Sequence, residues 1–168
     1  MQILRYRPKE WVKAFKSECS NLQFLLPQFK INVEHIGATA VPNCRSFRNV
    51  DILLSTHEFK DIHTIAMMLE TKEYVIVDQS DINCVVLAKK RKVLGERITV
   101  RVVQYASNTF NRFHAFDIYL RESIENVYHY NIFRENLFRE VAYDIPRYNQ
   151  AKYDYINNHI DEHFTFEE

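Results

Sequence analysis

Glycine is almost missing from this chain. Among 168 residues there are two, Gly37 and Gly95, with four prolines, three cysteines and one tryptophan. So few breakers leave little room for long linkers or disorder, and no internal repeat or low-complexity tract is visible. Neither sign of charge is in excess. Lys+Arg and Asp+Glu both number 22, so no global field draws the chain to nucleic acid or an anionic membrane. No apolar run is long enough to span a bilayer. The opening Met-Gln-Ile-Leu-Arg-Tyr-Arg-Pro is too charged and too short for a signal peptide. The cysteines, Cys19, Cys44 and Cys84, are widely spaced with no Cys-x-x-Cys pair. That points to a reducing cytosol, hence a cytoplasmic protein, and away from a zinc knuckle. Each reads as a buried small hydrophobe. Cys44 alone falls near the candidate site described below, and nothing around it marks an activated thiol.

Several catalytic signatures are absent as well. There is no Gly-x-x-x-x-Gly-Lys loop, no Gly-x-Gly-x-x-Gly, no His-Glu-x-x-His and no Gly-x-Ser-x-Gly. His57 and His63 are six apart and share no helix face. His159 and His163 are four apart near the C-terminus, a spacing that holds a metal only adventitiously.

What is present is a core. Hydrophobic residues make up 46% of the chain, including twelve Phe and ten Tyr. The length suits one domain over residues 1–168, with a core over about 8–106 and a helical part over about 107–164. Residues 8 to 26 are expected to form a helix. Pro8 suits the first turn, Trp11, Phe15, Cys19 and Leu22 recur at helical spacing, and Pro27 closes it. Lys30 to His35 alternates as a half-buried strand. Val50 to Leu54 is nearly all apolar, as a central strand would be. Ser55 or Thr56 can cap a helix running to about Glu70. Strands follow at Tyr74–Val77, Asn83–Lys89 and Arg97–Tyr105. The cations from Lys89 to Lys92 are expected in a solvated hairpin loop.

From Ser107 the chain turns helical. Phe110, Phe113, Phe116 and Leu120 step by three or four. A second helix follows Ser123, and Pro146 starts a third. Strands in the middle and helices at the ends give an α+β layout. The aromatics at this spacing are core residues before they are base-stacking platforms.

The most informative stretch is Val33-Glu34-His35-Ile36-Gly37-Ala38-Thr39-Ala40-Val41-Pro42, followed by Val50-Asp51-Ile52-Leu53-Leu54. Gly37 ends an alternating strand, where a backbone bends sharply or comes close to a ligand. The run from His35 resembles the GrpB family, whose usual form is His-Ile-Gly-Ser-Thr-(Ser/Ala)-Val-Pro, then Asp-Ile-Leu on the next strand. Pro8 with Trp11, Phe116-Asp117-Ile118-Tyr119-Leu120-Arg121, and Tyr148 with Lys152 extend the likeness over nearly the whole chain. The resemblance implies the nucleotidyltransferase superfamily: a mixed sheet with a flanking N-terminal helix and C-terminal aromatic helices. In that fold a Gly-Ser turn takes phosphate on backbone N–H groups, and a pair of strand carboxylates holds Mg²⁺.

Here the match is partial. Ala38 replaces the serine. Asp51 stands at the first carboxylate position, but Leu53 stands at the second. The family's late His-x-His is Thr99 and Arg101, its Lys-Pro is Phe47-Arg48, and its helical Asp is Ile118. Asp117 is adjacent but about 100° round the helix, so it is expected to point elsewhere. The resemblance therefore implies a cleft with His35, Gly37, Ala38, Thr39, Arg45, Arg48, Arg101 and Arg121 on a phosphate, and Asp51 as catalytic carboxylate and magnesium ligand. Glu34 stands beside His35 as an alternative. Arginines suit this work because their planar fork matches phosphate or carboxylate.

Two functions remain open at this point. One is Mg²⁺-dependent nucleotidyl transfer, or binding of a nucleotide or other phosphorylated small molecule. The other is a catalytically lapsed member serving as ligand sensor or interaction module, which Ala38, Leu53 and Arg101 favour. Binding of an RNA end is disfavoured, because no basic stripe exists outside residues 89–92.

Overall fold

The computed structural model describes residues 5–47, 49–90, 97–141 and 144–165. The described residues form one five-stranded sheet and five helices, in the order α1 (Pro8–Leu25), β1 (Ile31–Ile36), β2 (Asn49–Thr56), α2 (Asp61–Glu70), β3 (Val75–Asp81), β4 (Cys84–Lys90), β5 (Arg97–Gln104), α3 (Asn108–Glu122), α4 (Ile124–Glu140) and α5 (Ile145–His163). Strands lie in the order β1-β2-β5-β4-β3. The β2–β5 pair is parallel, and the other neighbours are antiparallel. This is the mixed α+β architecture expected from the sequence. No helix of the described residues is long and apolar enough to cross a membrane.

The middle strands β2 and β5 are buried on both faces, which is why β2 reads as a continuous apolar run. Val50, Ile52 and Leu54 point one way, with Ile98, Val100 and Val102 of β5 and Val85 and Leu87 of β4. They pack against Trp11, Ala14 and Leu22 of α1 and Ile62, Ile65 and Leu69 of α2. Leu53 points the other way, with Val103, Cys84 and Ile36, against Phe110 and Phe113 of α3. Beyond them the aromatics of α3, α4 and α5 close a second cluster around Val41 and Cys44. Each fully buried Leu or Ile contributes roughly 1.5–3 kcal/mol.

Local signals act where they were expected. Pro8 lies in the first turn of α1. Ser107 and Ser123 cap α3 and α4 by accepting the N–H of Phe110 and Asn126. Two expectations fail. Ser55 and Thr56 do not cap α2. They continue β2, paired with Val103 and Gln104 of β5, and α2 starts at Asp61. A parallel ladder that still has partners outcompetes a cap. Lys89 is not a solvated loop cation either. It lies in β4, its Nζ 3.0 Å from Glu18 of α1. Residues 91–96 of that basic loop lie outside the described residues.

Candidate functional site

The site forms where β1 and β2 meet α3 and α5. β1 ends at Ile36, and Gly37 turns with φ +74°, a backbone conformation that favours glycine. A Cβ there would lie 3.4 Å from Asp51 Oδ2, so turn and acid stand side by side. Asp51 is the third residue of β2, on the face that carries Leu53, opposite Thr99 of β5. Its Oδ1 accepts from Arg101 at 2.7 Å and from Asn49 at 3.1 Å. The Asn49 amide is itself held by the Thr99 hydroxyl at 3.0 Å. Arg101 is 8% exposed. Its guanidinium lies over the Phe113 ring and donates to the Tyr153 hydroxyl of α5. Burial works against its charge, but Asp51 and Tyr153 outweigh that, and it stays protonated.

The second acid here comes from a helix. Gly37 N–H donates to Asp117 Oδ1 at 3.0 Å. Asp117 was expected to point away. It faces the turn because α3 presents Phe110, Phe113 and Asp117 on one stripe, at steps of three and four. Ile118 is the residue that points outward, 50% exposed. The amide expected to meet a ligand's phosphate is thus engaged by a carboxylate of the protein. Burial pushes Asp117 up to about 7, against the pull of the Gly37 N–H, Arg121 and His114, and nearby Asp51 adds to the rise.

The other expected residues divide. Arg121 donates to the Ala40 carbonyl at 2.7 Å, which fastens α3 to the turn, and its charge is felt by Asp117. Ala38 packs against the cluster around Val41 and Cys44. Thr39 is buried and shares a 2.9 Å hydrogen bond with His35 Nε2. His35 belongs to the opposite face of the sheet. Strand alternation pairs it with Ile52 rather than Asp51, and its ring stacks on Phe15 of α1 at 4.9 Å. Burial lowers it to about 4, Asp51 opposing and Arg121 assisting, so it is neutral at physiological pH. Glu34, like Ile36, lies on the site's face of β1. It pairs with His114 at 3.1 Å.

Arg45 does not join this cluster. It makes an exposed ion pair with Glu135 of α4 at 2.6 Å, because Asn131 takes its N–H and Arg134 its carbonyl, which hold it against α4. Arg48 lies outside the described residues. Cys44 is fully buried and its thiol is pushed up to about 11 by that burial, so it carries no activated thiolate. A shallow depression lined by Pro8, Lys9, Val12, Lys13 and Lys16 runs along α1 and includes none of these residues.

Two residues enter the site unannounced. Lys152 of α5 is half-buried, its ammonium lies over the Tyr153 ring at 5.4 Å from the centroid, and burial holds it down at about 8, with the field of Asp51 opposing. Arg134 of α4 is 3% exposed. It donates to the Tyr148 hydroxyl, the Arg45 carbonyl and Cys44 Sγ, and lies over the Tyr130 ring. Among the described residues none of those partners is a carboxylate. Lys152 was visible only as the partner of Tyr148 in the resemblance. Arg134 had no signal beyond a charged residue inside an aromatic helix.

The magnesium expected at Asp51 does not fit this donor set. Magnesium needs hard oxygens free to bind. Asp51 Oδ1 already carries a guanidinium and an amide. Asp117 holds the Gly37 N–H and sits near half-protonation at neutral pH. No group of three or more His, Cys, Asp or Glu converges among the described residues. A fixed cation stands beside the acid instead.

The family model described as GrpB protein matches residues 1–162. The chain belongs to the GrpB family. It is 26% identical to the conserved protein GrpB from Enterococcus faecalis, whose crystal structure superposes with a TM-score of 0.78 over 95% of this chain and 96% of that one. It is 32% identical to UPF0157 protein BH1888 of Halalkalibacterium halodurans, over 44% of this chain and 37% of that protein. Cid1, a protein whose structural plasticity is described as a basis for RNA terminal uridylyl transferase activity, superposes with a TM-score of 0.56. That match has 7% identity and covers 81% of this chain and 42% of Cid1. The GrpB chain therefore has a nucleotidyltransferase-like fold.

Proposed function

We propose that this GrpB-family protein binds a nucleotide or other phosphorylated small molecule in the hollow between Gly37, Asp51 and α5, and that it does so with fixed cations rather than magnesium. The observation that carries this reading is Arg101. Its guanidinium stands 2.7 Å from the carboxylate that a metal would need, almost fully buried, with a long 3.4 Å hydrogen bond to the Tyr153 hydroxyl that a phosphate or carboxylate oxygen would replace. Arg121 fastens the turn that walls the hollow. With the metal position taken by a guanidinium, the reading favours a ligand-binding or ligand-sensing member of the family over a transferase.

The reading is tested by thermal shift with ATP, ADP and adenosine, each with Mg²⁺ and with EDTA. A binder is stabilised as ligand exceeds Kd, by about 2.7 kcal/mol at a hundredfold excess. ATP should raise Tm as much in EDTA as in Mg²⁺, and adenosine should not. A shift that needs Mg²⁺ and vanishes in Asp51→Asn would instead support metal-dependent transfer.

A further inference from the structure

We infer that the Asp117 carboxylate is a built-in occupant of the anion seat at the Gly37 turn, and that a ligand's anionic group takes that seat only once Asp117 has lost its charge. This inference rests on the proposed ligand hollow and adds the contact that regulates it. The two partners are far apart in the chain and meet in one hydrogen bond. Gly37 follows β1 with φ +74°, and its N–H donates to Asp117 Oδ1 of α3 at 3.0 Å. The same turn lies against Asp51, whose Oδ2 is 3.4 Å from where a Cβ on Gly37 would stand. Arg121, one turn beyond Asp117 on α3, ties the helix to the Ala40 carbonyl at 2.7 Å. Asp117 is thus held at the turn by a packed helix. Gly37 and Asp117 are both half-buried rather than sealed.

A backbone N–H presented by such a turn attracts negative charge. Ionised Asp117 fills the seat with a charge-assisted bond, roughly twice as strong as a neutral one. It is also tethered, so it competes with a dissolved anion at high effective concentration. An anion arriving then finds the amide taken and faces two carboxylates, Asp117 and Asp51. Protonated Asp117 presents a weaker competitor. Its neutral oxygen accepts the N–H less strongly, and only Asp51 still repels. The incoming anion then wins the amide.

The surroundings bring this exchange close to neutral pH. Burial pushes Asp117 up to about 7, opposed by the Gly37 N–H, Arg121 and His114 and helped by Asp51. The groups facing it are Asp51 of β2, Cys44 of the loop before β2, and Arg121 and His114 of its own helix, with Glu34 of β1 on His114 at 3.1 Å. Cys44 is pushed up to about 11 by burial and stays neutral throughout. A seated anion raises the Asp117 value further. Affinity for the anion is therefore full below about 7 and falls as pH climbs past it, and binding above that point takes up a proton.

Because the chain has only two glycines, the seat can be watched directly. The full chain labelled with ¹⁵N-glycine gives two amide signals in NMR, and Gly95→Ala identifies that of Gly37. As pH rises from about 5.5 to 8.5, the Gly37 amide proton should move downfield with a midpoint near 7, as the carboxylate charges. Sulfate, whose own charge is constant over this range, is then titrated at fixed ionic strength and followed on the same signal. Its affinity for wild type should fall about tenfold from pH 6 to pH 8, as the protonated fraction drops from about nine-tenths to about one-tenth. Asp117→Asn should leave the Gly37 signal independent of pH, bind sulfate equally at both values, and exceed wild type about tenfold at pH 8. A Gly37 signal that ignores pH in wild type, or titrates alike in Asp117→Asn, overturns the inference. So does sulfate bound equally by wild type at both values, and the ligand hollow then stands without this contact. Sulfate that never moves the Gly37 signal of Asp117→Asn, while ATP still raises Tm, puts the ligand's anion elsewhere and overturns the seat alone. Failure of both sulfate and ATP to bind either protein at pH 6 removes the proposed function as well. If Asp117→Asn does not fold, the wild-type pH series decides.

Discussion

Each face of the sheet carries a carboxylate, a buried cation and a tyrosine hydroxyl, and the two clusters do different things. On the α1 side, Glu18 accepts from Lys89, Asn21 and the Tyr74 hydroxyl, and the ammonium lies over the Tyr74 ring. On the α5 side, Asp51 accepts from Arg101 and Asn49, and Tyr153 caps the guanidinium. The first cluster is closed. Its ion pair is 12% and 7% exposed, and Lys89 has a further acid in Glu73 at 3.7 Å. The second is open on the acid's side, with Asp51 22% exposed. A balanced, enclosed pair fixes α1 to the sheet. A pair with access to solvent is one that a ligand can reach.

The comparison breaks most visibly at Glu18. Glu18→Ala leaves Lys89 charged and without its buried partner, and should cost about 3 kcal/mol in urea unfolding. Ligand binding by the folded fraction should not change. A loss below about 1 kcal/mol would mean that the cluster is not structural. Arg101→Met should cost less, about 1–2 kcal/mol, because Asp51 can rehydrate where Glu18's surroundings are sealed. Its larger consequence is loss of the ATP-dependent thermal shift. Equal destabilisation by the two variants would erase the distinction drawn between the faces.

Asp117 sharpens the comparison through pH. Its folded value is raised to about 7, whereas an unfolded aspartate titrates near 3.9. Between those values the native chain binds more protons than the unfolded one, so this group lowers stability as pH rises from about 4 to 7, after which its contribution is flat. Asp117→Asn keeps an acceptor for the Gly37 N–H without the charge. It should therefore gain on wild type by about 1–3 kcal/mol at pH 8 and show little difference at pH 4. A gain independent of pH would mean that the carboxyl is not titrating in this range.

The fold was legible because periodicity and punctuation agreed with it. Pro8, Ser107, Ser123 and Pro146 mark real helix starts, and the apolar run after Asp51 is a strand covered on both faces. Ser55 and Thr56 misled because a cap and a strand end look alike until β5 is known to lie beside them. The candidate site was legible only in part. Gly37 beside Asp51 follows from local sequence. Whether His35 or Glu34 shares their face turns on strand alternation, and that needs the register with β2 to settle. Asp117, Arg134 and Lys152 arrive from helices that are 66 to 101 residues beyond Asp51 in the chain. Their own spacing says which stripe they occupy, and nothing in it says which surface that stripe meets.

Arg45 supplies the smallest expected effect and the cleanest control. It sits in the same loop as the site's turn and has the same fork as Arg101, so sequence places the two together. In the structure its side chain is 54% exposed and pairs with a Glu135 that is 29% exposed. Such pairs contribute about 0–1 kcal/mol and are screened by salt. Arg45→Gln should therefore shift unfolding by no more than about 0.5 kcal/mol and leave the affinity for ATP where it was. If it instead weakens ATP as Arg101→Met does, the loop's exposed arginines are part of the ligand's path.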